Sequence, residues 1–141
     1  MIEDGFAELI GAQRRGVLVT LRKDGWPQLS NVNYAWDAGT QTIRVSTTDD
    51  RAKTANLRRD PRASLYVPGD NFYQYVVIEA AVELSPVATD PHDATVEALI
   101  RYYEAGSGAH PDWDEYRAAM IADKRLALTL RPERAYGMIG G

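Results

Sequence analysis

The chain has no cysteine among its 141 residues and only two histidines. The first absence excludes disulfides, thiolate nucleophiles, Fe–S clusters and every Cys-based zinc site. The second leaves His92 and His110, each beside a proline, as the only imidazoles from which a metal site could be built. No apolar run approaches the roughly 18 residues a membrane-spanning helix needs. Met1-Ile2-Glu3-Asp4-Gly5 puts acid where a secretory leader needs base. The sequence holds no Gly-x-x-x-x-Gly-Lys-Ser/Thr loop, no Gly-x-Gly-x-x-Gly after a strand, no His-Glu-x-x-His and no Gly-x-Ser-x-Gly. Basic charge is also short. Sixteen Lys and Arg against twenty Asp and Glu leave a net charge of −4, and the pI of about 5.1 is wrong for a chain built to lie on nucleic acid. Carboxylates are many but scattered, so no acid/base pair stands out. The expectation is a soluble, cytoplasmic protein of one domain, residues 1–141, with no metal, no membrane and no nucleic acid.

What is present reads mainly as strand. Phe6, Leu9 and Ile10 recur at helical spacing, predicting a short amphipathic helix over 3–14. Gly16 to Leu21 is apolar and β-branched, and Lys23-Asp24-Gly25 supplies a hairpin turn. The return strand runs from Gln28 to Trp36, and Ile43, Val45 and Thr47 alternate in a third, giving a three-stranded meander. A helical pattern over 49–60 closes at Asp60-Pro61. Strands follow over 63–67 and 75–84, then helices over about 92–105 and around Trp113, Tyr116 and Met120. A strand over 125–130 comes last, with a seventh possible over 134–138 and a tail, Tyr136 to Gly141, that frays or lies against the site. Antiparallel strands with peripheral helices favour a mainly β fold, a six-stranded split β-barrel.

Three segments carry candidate chemistry. In an acidic chain, positions 51–62 concentrate five bases, Arg51, Lys53, Arg58, Arg59 and Arg62. The helix starts right after a strand, so its N–H groups and dipole point where Arg51 and Lys53 stand, which suits a phosphate. The same charges also suit a solvated helix face, and charge alone does not choose. Gln28, Ser30, Asn31 and Asn33 are poor strand formers that can hydrogen-bond a flat heterocycle or wet an edge strand. Phe72, Tyr73 and Tyr75 crowd one loop and can fill a core, a dimer interface or the wall of a planar ligand.

Gln28-Leu29-Ser30-Asn31-Val32, Arg51-Ala52-Lys53-Thr54 and Asn56 to Ser64 resemble the actinobacterial split-barrel flavin/deazaflavin oxidoreductases. These are pyridoxamine-phosphate-oxidase-like proteins that use coenzyme F420, and the likeness extends over nearly the whole chain. The resemblance implies a homodimer with a cofactor in the groove between subunits. It implies that Arg51 and Lys53 hold the cofactor phosphate, and that Asn56, Arg58 and Arg59 meet the anionic γ-glutamyl tail of F420. Gln28, Ser30, Val32 and Asn33 would edge the deazaflavin ring, with Ser46 and Thr47 near its phospholactyl-ribityl chain. Phe72, Tyr73 and Tyr75 would reach over the site from either subunit. The implied activity is hydride transfer from reduced F420 to a planar conjugated acceptor, enone- or tetrapyrrole-like. The ring supplies the chemistry, so no protein nucleophile is expected, and Tyr73 is the candidate proton donor. The alternatives are an FMN-dependent enzyme of the same fold and a cofactor-binding protein without turnover.

Overall fold

The computed structural model describes residues 1–140. Helix α1 (Asp4–Ala12) leads into strand β1 (Arg15–Leu21), which turns at Gly25 into β2 (Pro27–Asn33). Gly25 has φ +89°, the left-handed conformation that such a turn asks of glycine. Strands β3 (Ala35–Asp37) and β4 (Thr42–Thr48) come next, then helix α2 (Ala52–Arg59), then β5 (Arg62–Pro68) and β6 (Tyr75–Leu84). Helices α3 (Ala94–Ser107) and α4 (Trp113–Ala122) precede the long β7 (Arg125–Met138). No helix among the described residues is long and apolar enough to cross a membrane.

All seven strands belong to one antiparallel sheet in the order β2-β1-β5-β6-β7-β4-β3. The two edge strands, β2 and β3, are separated in sequence by Tyr34 alone. A sheet whose opposite edges are joined by one residue has to curl until those edges meet. It is therefore a split barrel, closed at the seam by the covalent chain rather than by a ladder of hydrogen bonds.

Two expectations are corrected here. The predicted strand over 28–36 breaks at Tyr34, so the expected meander is not formed: β2 and β4 end on opposite sides of the seam. The cause is local. Tyr34 is buried and its hydroxyl donates to the Ile10 carbonyl at 2.6 Å, while its N–H donates to the Arg14 carbonyl. These bonds pull the chain out of strand register, and the sheet has seven strands rather than six. At the other end, 125–130 and 134–138 are one strand. Pro132 cannot donate to a ladder, and a register shift between Glu79 and Ala80 of β6 absorbs it. The tail does not fray at Tyr136, since Val77 pairs with Tyr136 and Tyr75 with Met138.

Inward alternate positions fill the barrel with Leu18, Ile43, Val45, Leu65, Ile78, Leu128 and Leu130, all essentially inaccessible. Leu9 and Ile10 of α1 and Leu57 of α2 also join this core. A second cluster lies outside the barrel, where Val96, Leu99, Tyr116 and Met120 of α3 and α4 pack over Ala127 of β7. Asp93 and Asp112 cap those two helices by accepting the Val96 and Glu115 N–H groups. Helix α2 has no such cap. The residue at its N-terminal boundary is Arg51, a cation where an acceptor is the usual choice.

Candidate functional site

The seam leaves room for a site. Strand β3 covers only Thr42–Arg44 of β4, so Val45–Thr48 has an uncovered edge, and β2 has no partner on its side away from β1. Between these edges lies a groove of about 390 Å³. One wall is Asn31, Val32 and Asn33 of β2 and the other Ser46, Thr47 and Thr48 of β4. Arg51 and Lys53 stand at one end with Arg125, and Tyr102, Tyr103, Tyr116 and Met120 form the floor. Uncovered strand edges present free N–H and C=O groups. At the start of α2 the Thr54 N–H donates to the Arg51 carbonyl at 3.1 Å, while the N–H groups of Ala52 and Lys53 come before the first helical acceptor.

Helix α2 is held at this spot by buried polar contacts. The Thr54 hydroxyl donates to the Thr48 carbonyl at 2.8 Å and lies 3.1 Å from the Thr47 hydroxyl. One turn on, the Asn56 amide donates to the Thr20 hydroxyl at 3.1 Å and to Gln28 Oε1 at 3.0 Å. Leu57 anchors the same helix in the barrel core. Three elements are thereby locked to the helix, and its N-terminus is aimed at the groove.

The groove lining is cationic, and no Asp or Glu is part of it. Among the described residues Arg51 and Lys53 form no ion pair, while Arg125 reaches Asp123 only at 3.9 Å. Arg125 donates to the Ser46 hydroxyl at 3.3 Å, and its buried Nε has no hydrogen-bond partner. Burial lowers the Lys53 pKa below the usual ammonium value, and the charges of Arg51 and Arg125 add to the effect. Burial raises the Tyr102 hydroxyl, against a smaller opposing effect of Arg125, and pushes Tyr116 up to about 12. Three cations that repel one another, a buried N–H without an acceptor and the N-terminus of a helix are groups whose chemistry suits an anion.

The groove brings together Val32, Asn33, Ser46, Thr47, Arg51 and Lys53 from the residues singled out in the sequence. Others are engaged elsewhere. Gln28 accepts from Asn56, and Ser30 turns its hydroxyl into a buried position without a partner. Asn56 is buried and committed to Thr20 and Gln28, so it is a brace and not a surface ligand for an anionic tail. Arg58 pairs with Asp49 at 2.7 Å, and Arg59 donates to the Leu21 carbonyl and to Asn56 Oδ1. Phe72 and Tyr73 are strongly exposed, edge to face with each other, and do not line the groove. Tyr75 stacks on Tyr66 at 5.6 Å on the outer face of the sheet. Tyr73 is therefore not the hydroxyl nearest this chain's own groove; Tyr102, Tyr103 and Tyr116 are the phenols that line it. His110 accepts the Asp112 N–H at 2.9 Å and packs among Tyr103, Trp113 and Tyr116, while His92 is exposed. Among the described residues no group of three or more His, Asp and Glu side chains could hold a metal ion.

Sequence reasoning missed Arg125 and the floor. Arg125 begins a strand whose register with Thr48 is long-range, and Tyr102 and Tyr103 read as ordinary helix residues. The one available signal was a lone arginine opening an otherwise apolar strand.

A family model described as pyridoxamine 5'-phosphate oxidase matches residues 2–139. Among solved structures, an F420 reductase is 27% identical, covering 96% of this chain and 98% of its own, with a TM-score of 0.70. A conserved hypothetical protein of Mycobacterium tuberculosis is 26% identical, with coverages of 100% and 93% and a TM-score of 0.71. A heme binding protein from Mycobacterium smegmatis shares the fold at 19% identity and a TM-score of 0.69, covering 99% of this chain and 55% of its own.

Proposed function

The chain belongs to the pyridoxamine 5'-phosphate oxidase family, and from that premise we propose that it is an F420-dependent oxidoreductase whose seam groove holds the cofactor's phosphate. The convergence of Arg51, Lys53 and Arg125 on a groove that no Asp or Glu lines carries this reading. Arg51 offers a planar fork, Lys53 a point charge, and Arg125 a buried Nε that lacks an acceptor. A phosphate would relieve their repulsion and satisfy that N–H together with the open turn of α2. Asn31 and Asn33, along the β2 edge, are the amides available to a flat ring.

When bound, F420 supplies a hydride for transfer to a conjugated acceptor. The side chains have the task of orientation. Ser46 is held by Arg125, Thr47 by Thr54, and the tyrosine floor excludes water from one side. Tyr102 donates to the Asn33 carbonyl at 3.1 Å, which keeps a phenol beside the β2 wall. Among the phenols of the floor it is the proton donor this reading favours, in place of Tyr73.

The likeness to an F420 reductase favours deazaflavin over FMN. Arg58 and Arg59 no longer add to that preference, because they are engaged within the chain. A homodimer is part of the proposal. The outward face of β2-β1-β5-β6-β7 carries Leu29, Tyr136 and Met138 exposed and Val17, Tyr66 and Tyr75 half-buried. A second copy would cover this apolar band and bring its own loop aromatics, Phe72 and Tyr73, toward the groove.

Parallel fluorescence titrations with oxidised F420 and with FMN test the reading, with light scattering for mass. Micromolar F420 binding, much weaker FMN binding and a dimeric mass are expected. Preference for FMN would transfer the reading to flavin chemistry, and no binding of either would remove it.

A further inference from the structure

A second cavity opens on the far side of Tyr102. Its volume is about 540 Å³, and it shares Asn33, Tyr102 and Tyr103 with the anion groove, so the two are neighbours across a common wall. It lies between the end of α1, the start of β1, β3 and the last turns of α3. Trp36, Tyr34, Tyr102 and Tyr103 give it aromatic walls, and Arg14 and Arg15 are its charged groups. Again no Asp or Glu lines it, in a chain that has twenty.

The two arginines have different tasks. Arg14 donates to the Gly106 carbonyl at 3.0 Å, tying the start of β1 to the C-terminal turn of α3. Arg15 makes no ion pair among the described residues and stands opposite Asn33 in the β1–β2 ladder. Trp36 is fixed by contact with α1, since a side chain at Gly11 would meet its ring at 3.3 Å. An indole, the two half-buried phenol rings of Tyr102 and Tyr103 and one unengaged guanidinium suit a flat ring bearing a carboxylate. The ring would lie among the aromatics and the acid on the arginine fork.

We propose that this cavity is a binding subsite for a planar, conjugated carboxylic acid, separate from the cofactor groove and divided from it by Tyr102. This binding chemistry depends on the cavity alone and not on the oxidoreductase reading. A carboxylate could also come from an extended cofactor tail, which would need the guanidinium but not the rings.

The test uses the full chain and 2-naphthoate as probe, followed by calorimetry and by amide and indole NMR shifts. One saturable site is expected, with the largest shifts at the Trp36 indole, Asn33 and Gly106. Arg15→Gln, at an exposed position, should weaken 2-naphthoate at least fivefold and leave the neutral 2-naphthalenemethanol unchanged. Inorganic pyrophosphate, which reads the Arg51–Lys53 groove, should bind that variant as it binds the wild type. Absent saturation, an unchanged affinity in Arg15→Gln, or shifts centred on Lys53 would overturn the inference. So would γ-glutamylglutamate binding as well as naphthoate, because the site would then serve a carboxylate tail. Loss of naphthoate binding alongside tight F420 binding sinks only this subsite. Naphthoate binding with these shifts but without F420 or FMN binding supports the subsite and sinks only the cofactor reading.

Discussion

The two ends of helix α2 carry the same kinds of residue and put them to opposite uses. At its C-terminal end Arg58 pairs with Asp49, Arg59 donates to the Leu21 carbonyl, and Arg62 just beyond forms two hydrogen bonds to Asp60. Bases there agree with the helix dipole and find acceptors. At its N-terminal end Arg51 and Lys53 oppose the dipole, repel one another and Arg125, and form no ion pair among the described residues. A run of five bases in twelve residues is thus two different things. One half is satisfied within the chain, while the other is left without an ion-pair partner among the described residues. Charge count does not separate them; position along the helix does.

The comparison breaks most severely if the helix itself is lost. Leu57→Ala empties a buried core position and should cost about 2–5 kcal/mol in urea unfolding. Anion binding should fall with it, since both ends depend on that anchor. Arg51→Ala and Lys53→Ala sharpen the contrast. Each should weaken F420 by about 1.5–3 kcal/mol, or about ten- to a hundredfold. Each should also leave the unliganded protein as stable as wild type or about 0.3–1 kcal/mol more stable, because a charge opposed to the dipole has gone.

Asn56→Ala reverses that signature. It leaves Thr20 and Gln28 without their shared donor, which should lower stability by about 1–3 kcal/mol. Phosphate affinity, measured on the folded fraction by calorimetry, should hold. Smallest is Arg58→Ala, whose half-exposed pair should contribute less than about 1 kcal/mol and nothing to binding.

The pH dependence separates the ends again. Burial and neighbouring cations lower the Lys53 pKa, and a bound anion would raise it. Affinity should then be full below the unliganded pKa and fall as pH rises from that value to the liganded one. Pyrophosphate calorimetry on the alkaline side should show this fall in wild type and its absence in Lys53→Met.

Much of the barrel was legible because alternation forces it. A strand such as Ala63 to Val67 can bury only every second residue, and the hairpin at Gly25 fixes its two arms. What escaped were events that alternation does not encode. Tyr34 leaves the sheet to reach the Ile10 carbonyl, which spacing does not reveal because Ile10 lies on another element. Pro132 looked like the end of a strand until the shift in β6 gave it a place. The site followed the same rule. Arg51 and Lys53 were legible because helix start and charge coincide locally, whereas Arg125 arrives through a long-range register with β4. Asn56 and Arg59 looked like ligands because a sequence displays a polar group and hides its partner.

The most direct test of the central claim is a side-by-side fluorescence titration of wild type, Arg51→Ala and Arg58→Ala with F420 at one salt concentration. The account predicts that Arg51→Ala loses about ten- to a hundredfold in affinity while Arg58→Ala stays within about twofold of wild type. Equal losses in the two variants, or a larger one in Arg58→Ala, would mean that the helix binds by its summed charge, and the assignment of its N-terminal end as the phosphate site would be wrong.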